Sequence, residues 1–266
     1  MSRVGVALLV TVLGVSAYAA TATTKSKKSA KSAKTAKTAH VASRAKHKHT
    51  HSSRKKSHTK AGKQVALTNV TRRSADQHMP NGWAWPPNDA MKSAETACEQ
   101  SLDGIGLAWE RATPEGRIAD PVYVPAMEIG GIKYTRSYGK GPTRMDCELV
   151  QTLAAIGPEL TALGVREVQF GSVYRNTNVR VHGATLPFLS RHALGIAMDI
   201  KAFVDDKGRV ANVELDYLKG DPLLHGIEDK INATHKFRTV LTPGNDPLSH
   251  YDHFHIEAAV DFTAFR

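Results

Sequence analysis

The chain has 266 residues and a hydrophobic fraction of 41%, enough for one sizeable domain or two small ones with an ordinary core. Its net charge of +11 is unevenly spread: residues before Asp76 hold 17 of the 36 Lys and Arg and no Asp or Glu, leaving 19 basic against 25 acidic groups in the rest. The basic character therefore belongs to a tail, and a net-acidic remainder argues against a specific nucleic-acid binder, whose cations gather on a domain face.

Arg3, the apolar run from Val4 to Ser16 and the small-x-small site Ala17-Tyr18-Ala19 read as a secretory signal over residues 1–19, with a mature chain expected to begin near Ala20. The run falls short of the ~20 residues of a spanning helix, so no membrane span is expected after cleavage. Residues 20–75 are rich in Lys, Ala, Ser, Thr and His and nearly lack large apolar side chains, a composition that cannot offset the entropy of ordering. They read as a disordered tether, either adhering to anionic envelope polymers or lipid head groups or serving as a solvated spacer. His47, His49 and His51 alternate within it and offer a weak metal-capturing set.

Residues 76–266 are expected to form the folded domain. Asn81 to Pro87 places Trp83 and Trp85 beside turn formers, as in an extended arm packing on the domain, with a carbohydrate-stacking platform as the alternative. Ala94 to Leu107 reads as a helix around Cys98, and Val122 to Tyr134 as a hairpin turning at Gly130-Gly131. Cys98 and Cys147 are the only cysteines; in an exported chain they are expected to pair, the rival reading being two buried thiols. Asp146 is a candidate cap for a helix carrying Leu149, Leu153, Ile156, Leu160 and Leu163, which Gly157-Pro158 should break or kink and Gly164 should end.

Three strands follow with the same division of labour. From Arg166 to Arg175, Val168 and Phe170 point one way and Gln169, Gly171 and Arg175 the other. In the second, Ile196, Met198 and Ile200 oppose Ala197 and Asp199; in the third, Phe254, Ile256 and Ala258 oppose His253, His255 and Glu257. Asp205 to Gly208 supplies a hairpin turn, and His225 to Val240 reads as the last helix. The expected fold is α+β: a small antiparallel sheet with helices on its apolar face and a zinc cleft on the other. His192 and Asp199, set across Gly195, with a third ligand supplied by the His253-x-His255 pair, then give two imidazoles and a carboxylate, a common catalytic zinc set.

Ser190-x-His192-x-x-Gly195-x-Ala197-x-Asp199 followed by His253-x-His255 resembles the LAS zinc peptidases, which include lysostaphin-type endopeptidases, D-alanyl-D-alanine peptidases and the hedgehog zinc domain. From Cys98 to Ala259 the chain is most similar to the bacterial extensin-like C-terminal family. The resemblance implies one zinc per domain, held by His192, Asp199 and His255, with His253 as base and Arg175 on a substrate carbonyl or carboxylate. The D-alanyl peptidases place a Glu three residues before the last ligand, where this chain has Asp252; His253 is therefore the expected base, with His250 and Asp252 in reserve. The function so implied is a periplasmic or secreted zinc hydrolase of amide bonds in peptidoglycan peptides. A non-catalytic zinc-containing wall-binding or scaffolding module is the alternative, and an envelope metal-binding protein using the His-rich tail is a third reading.

Overall fold

Asn88 opens the first regular element by accepting a hydrogen bond from the Met91 N–H, so helix α1 (Asp89–Gly104) starts ahead of the expected Ala94. A computed structural model describes residues 78–139, 143–181 and 184–265; the signal and tether readings, with His47, His49 and His51, lie outside the described residues. The Trp arm is tied to the chain's other end, where the Asn81 side chain donates to Asp261 at 2.9 Å and the Phe262 N–H donates to the Asn81 carbonyl.

The hairpin expected over Val122 to Tyr134 divides. Strands β1 (Glu110–Arg111), β2 (Pro121–Tyr123) and β5 (Met145–Asp146) form a separate three-stranded sheet. Only β3 (Glu128–Ile129) and β4 (Ile132–Arg136) turn at Gly130-Gly131. Pro125 has no N–H for a ladder, and Met127 takes a positive φ of 48°, so the run cannot continue as one strand.

Asp146 caps helix α2 (Cys147–Ala162) by accepting from the Glu148 N–H, and Leu149, Leu153, Ile156 and Leu160 are buried along it. Of the break or kink expected at Gly157-Pro158, the break does not occur, since the helix runs on through Pro158 to Ala162. Proline removes the donor to the carbonyl four residues back, Ala154, and that carbonyl is covered by the β3–β4 turn: a Cβ at Gly130 would lie 2.6 Å from it. Gly157 allows the approach, since its own Cβ would meet the Gly130 carbonyl oxygen at 2.1 Å.

The main sheet runs β11-β12-β9-β6-β4-β3, with β11 spanning Phe237–Leu241. Its strands β6 (Val165–Ser172), β9 (Ala197–Asp205) and β12 (Phe254–Ala258) lie side by side and antiparallel, with β10 (Val210–Asn212) paired on β9. The sheet is not wholly antiparallel: β4 and β6 are parallel, because α2 crosses between them. Val168, Phe170, Met198, Ile200, Phe254 and Ile256 are buried in one core with the inner residues of α1, α2 and α4 (Pro222–Ala233). A short α3 (Val213–Asp216) brings the helices among the described residues to four. None of them is long and apolar enough to cross a membrane.

The last helix stops at Ala233 instead of reaching Val240. His235 takes a left-handed φ of 53°, and β11 (Phe237–Leu241) follows as the edge strand on β12. Arg238 sits on that strand, within reach of Glu257 on β12.

Cys98 and Cys147 form a disulfide joining α1 to the start of α2 across 49 residues of sequence. Loop closure of that length stabilises by about 4 kcal/mol in the chain-entropy model. Replacing both cysteines with alanine should lower the urea unfolding free energy by roughly that amount; an unchanged midpoint would show that the unfolded chain is already compact.

Candidate metal centre

Two backbone devices place the first pair of site residues. Ser190 caps a single 3-10 turn (Arg191–Leu194), its hydroxyl accepting from the His192 N–H at 3.3 Å, and Gly195 ends the turn with φ +70°. A Cβ at Gly195 would lie 2.9 Å from the Asp146 nitrogen, so both the conformation and the space call for glycine. Strand β9 then carries Asp199 into direct register with His255 on β12.

His192 Nε2, Asp199 Oδ1 and His255 Nδ1 converge. The pairwise distances are 3.0 Å for His192–Asp199, 2.9 Å for His255–Asp199 and 3.2 Å for the two imidazoles. All three residues are buried, and their ligand atoms could hold a metal ion.

The groups behind them fix which atoms face inward. His192 Nδ1 lies 2.6 Å from the Val173 carbonyl oxygen; a carbonyl only accepts, so that nitrogen carries the proton and Nε2 presents a lone pair. Asp199 Oδ2 accepts from the Ser172 hydroxyl at 2.7 Å and from Arg175 at 3.1 Å, leaving Oδ1 for the centre. His255 Nε2 faces Glu257 Oε1 at 3.2 Å, and Arg238 donates to the other Glu257 oxygen at 2.6 Å.

Electrostatics follow from these contacts. Burial lowers the His192 pKa despite Asp199 beside it, which favours the neutral ring. Burial would also lower His255, but its hydrogen bonds to Asp199 and Glu257 prevail and raise it to about 9. Burial alone would raise both carboxyls; instead the two histidines hold Asp199 far below the usual carboxylate range. Likewise His255, Arg191 and Arg238 bring Glu257 down to about 2. Without a metal, a proton on His255 Nδ1 faces two acceptors, Asp199 Oδ1 and His192 Nε2. A cation with two nitrogen ligands and one oxygen fits the same place, displacing that proton.

The remaining predicted residues lie around this set. His253 Nε2 is 3.5 Å from Asp199 Oδ1, and its Nδ1 is 2.6 Å from Asp252 Oδ1; Asp252 in turn pairs with Lys201. Asp252 thus backs His253, an orientation the strand alternation left open. His250 Nδ1 is held by Asp246 at 2.8 Å, and its ring centroid is 4.9 Å from that of His253.

Arg175 reaches Asp199 although β6 ends before it. Gln169 turns to Glu167 and Gly171 is a bulge, so the expected polar face of that strand is replaced by Ser172. Ser172, Arg238, Asp246 and the support role of Glu257 were missed. Only Glu257 carried a sequence signal, its alternation with His255. A cleft of about 490 Å³ opens over the set, with Arg175, Asn178, His250 and His253 among its lining residues.

These features define an α+β domain with a buried His–Asp–His set suited to a metal ion. The family model described as extensin-like protein C-terminus matches residues 96–265, and the chain belongs to that family. No curated protein and no solved structure matches the chain.

A histidine with a raised folded-state pKa contributes stability that is fully present below its unfolded value of 6.5 and is lost as pH rises through about 9. In chelator, the urea midpoint of wild type should fall across that window relative to His255→Gln. Parallel pH profiles for the two proteins would contradict the assignment.

Proposed function

We propose that this chain is an exported zinc-dependent hydrolase of amide bonds in peptidoglycan peptides. The observation that carries the reading is a His–Asp dyad beside the convergent ligand set: Asp252 fixes His253 Nδ1, and His253 Nε2 lies 3.5 Å from Asp199 Oδ1. The likeness of the motif to LAS peptidases supports the chemistry. A disulfide and a signal-like N-terminus support export to the periplasm or beyond.

His192, Asp199 and His255 would hold the ion, which when bound polarises a carbonyl and acidifies water. With Asp252 accepting from Nδ1–H of His253, the Nε2 lone pair is the one placed to take a proton from attacking water and return it to the leaving amine. Lys201 keeps Asp252 ionised: burial would raise its pKa, but the ion pair with Lys201 and the contact with His253 lower it. Arg175, about half exposed, has donors left to orient the substrate carbonyl while one nitrogen holds Asp199. His250 lines the cleft behind His253 and shapes the approach of substrate.

Purified protein should carry one zinc per chain and release fragments from sacculi, read by mass spectrometry of the digest. His253→Ala should keep the zinc and lose on the order of 10²- to 10⁴-fold in release rate. Asp252→Asn should lose less. Zinc-loaded wild type that cleaves no sacculus preparation would overturn the hydrolase reading and favour a wall-binding module.

A further inference from the structure

The segment between β11 and β12 carries Asp246, His250, Asp252 and His253. Its largest apolar side chains do not fix its path, since Leu248 is 75% exposed and Tyr251 is 55% exposed. The far end is tied by Asp252 to Lys201. The near end is tied at Thr242, the first residue after β11, which is fully buried.

The Thr242 hydroxyl donates to Glu228 Oε1 on α4 at 2.9 Å and accepts from the Gly244 N–H at 3.2 Å. Its carbonyl accepts from the Asn245 N–H at 3.2 Å and from the Asp246 N–H at 2.9 Å, and its own N–H donates to Asn245 Oδ1 at 2.9 Å. Asn245 closes the turn by donating to the Val240 carbonyl. The Tyr217 hydroxyl donates to the other Glu228 oxygen, and a Cβ at Gly244 would lie 2.4 Å from that hydroxyl, so the turn is seated on the tyrosine. His225 and Phe254 in turn pack on the Tyr217 ring, at centroid distances of 4.4 and 5.7 Å.

From this turn the contacts run inward. Asp246 Oδ2 holds His250 Nδ1 at 2.8 Å, and the Asp246 carbonyl accepts from the His250 N–H at 2.9 Å. The His250 ring lies against both members of the His-x-His pair, its centroid 4.9 Å from that of His253 and 5.3 Å from that of His255. Asp246 and His250 line the cleft, whereas Glu228 and Thr242 do not. Removing the buried hydroxyl would leave Glu228 and the turn each short of a partner, and a rearranged turn would carry Asp246 and His250 with it.

We propose that Glu228 and Thr242 are positioning residues that act through Asp246 to set the His250 ring in the wall of the cleft. That the ring's placement matters to turnover rests on the hydrolase reading, whereas the placement itself rests on these contacts.

Thr242→Val removes the hydroxyl and keeps the shape of the side chain; Thr242→Ser keeps the hydroxyl. With the full-length, zinc-loaded chain on sacculi, Thr242→Val should lose on the order of ten- to a hundredfold in release rate at unchanged zinc content, and Thr242→Ser should retain most of the rate. The same Thr242→Val change made in His250→Ala should cost little more, because its effect passes through that ring. Equal losses in both backgrounds, or no loss in either, overturn the proposal. Should Thr242→Val fail to fold, Glu228→Gln, which keeps one acceptor oxygen, should show a smaller loss with the same dependence on His250. A second readout needs no turnover. The imidazole nitrogen resonances of His250, identified by NMR from their absence in His250→Ala, should move in Thr242→Val towards their positions in Asp246→Ala and stay in place in Thr242→Ser. Resonances unmoved by Thr242→Val overturn the proposal even if sacculi are cleaved. If they move while zinc-loaded wild type cleaves no sacculus, the hydrolase reading falls and the positioning role stands.

Discussion

A buried ionised carboxylate is costly unless every lone pair is met, and Asp199 is the group on which this site turns. Oδ1 faces His192, His255 and, farther off, His253; Oδ2 accepts from Ser172 and Arg175. Those partners come from β6, the segment after it, a 3-10 turn, β12 and the loop before it. Five pieces of chain are thus held in place by the need to satisfy one side chain. The same need explains the distribution of charge around it. The surroundings favour the charged ring at His255 and the neutral ring at His192, because Glu257 lies behind one ring and a backbone carbonyl behind the other.

The register of the sheet serves that carboxylate through two bulges on adjacent strands. Gln169 pairs with Ala202 and Phe170 with Ile200, leaving Lys201 as an extra residue on β9; Phe170 with Ile200 and Ser172 with Asp199 leave Gly171 as an extra on β6. Each bulge reverses the alternation of its strand. The first lets Phe203 join Ile200 in the core and frees Lys201 to reach Asp252. The second replaces a glycine with the Ser172 hydroxyl opposite Asp199. The core and the orienting hydrogen bonds are both obtained by departing from regular pairing at the strand's polar end.

This division also marks what the sequence could disclose. The Asp146 cap, the leucine periodicity of α2 and the alternation within β9 and β12 are local, and each reads correctly from its own few residues. So does the convergence of His192, Asp199 and His255, since the motif strands turned out to be neighbours. Ser172 could not be read, because a bulge is a property of two strands in register and not of either one. Pro158 misled for a related reason: the carbonyl it orphans is covered by Gly130, distant in sequence. Arg238 was hidden by extending α4 past Ala233 to Val240, although Phe237, Thr239 and Val240 are strand formers and pair with β12.

The two histidines of the His-x-His pair differ in what holds them, and that difference fits different tasks. His255 lies within β12, paired with Asp199 across the ladder and buried at 8% exposure, so its ring is fixed by backbone and by Glu257 together. His253 precedes the strand, is only partly buried, and is held chiefly through Asp252. A ligand benefits from rigidity, since its geometry must not change when solvent or substrate exchanges. A group that takes a proton from water and gives it to a leaving nitrogen must serve two positions in turn, which a ring anchored at Nδ1 alone can do by a small rotation. Asp252 suits that part: its short side chain reaches the neighbouring ring, while Lys201, displaced by the β9 bulge, keeps it charged. The irregularity in the sheet that brings Ser172 to Asp199 therefore has a counterpart that holds His253 through Asp252 and Lys201.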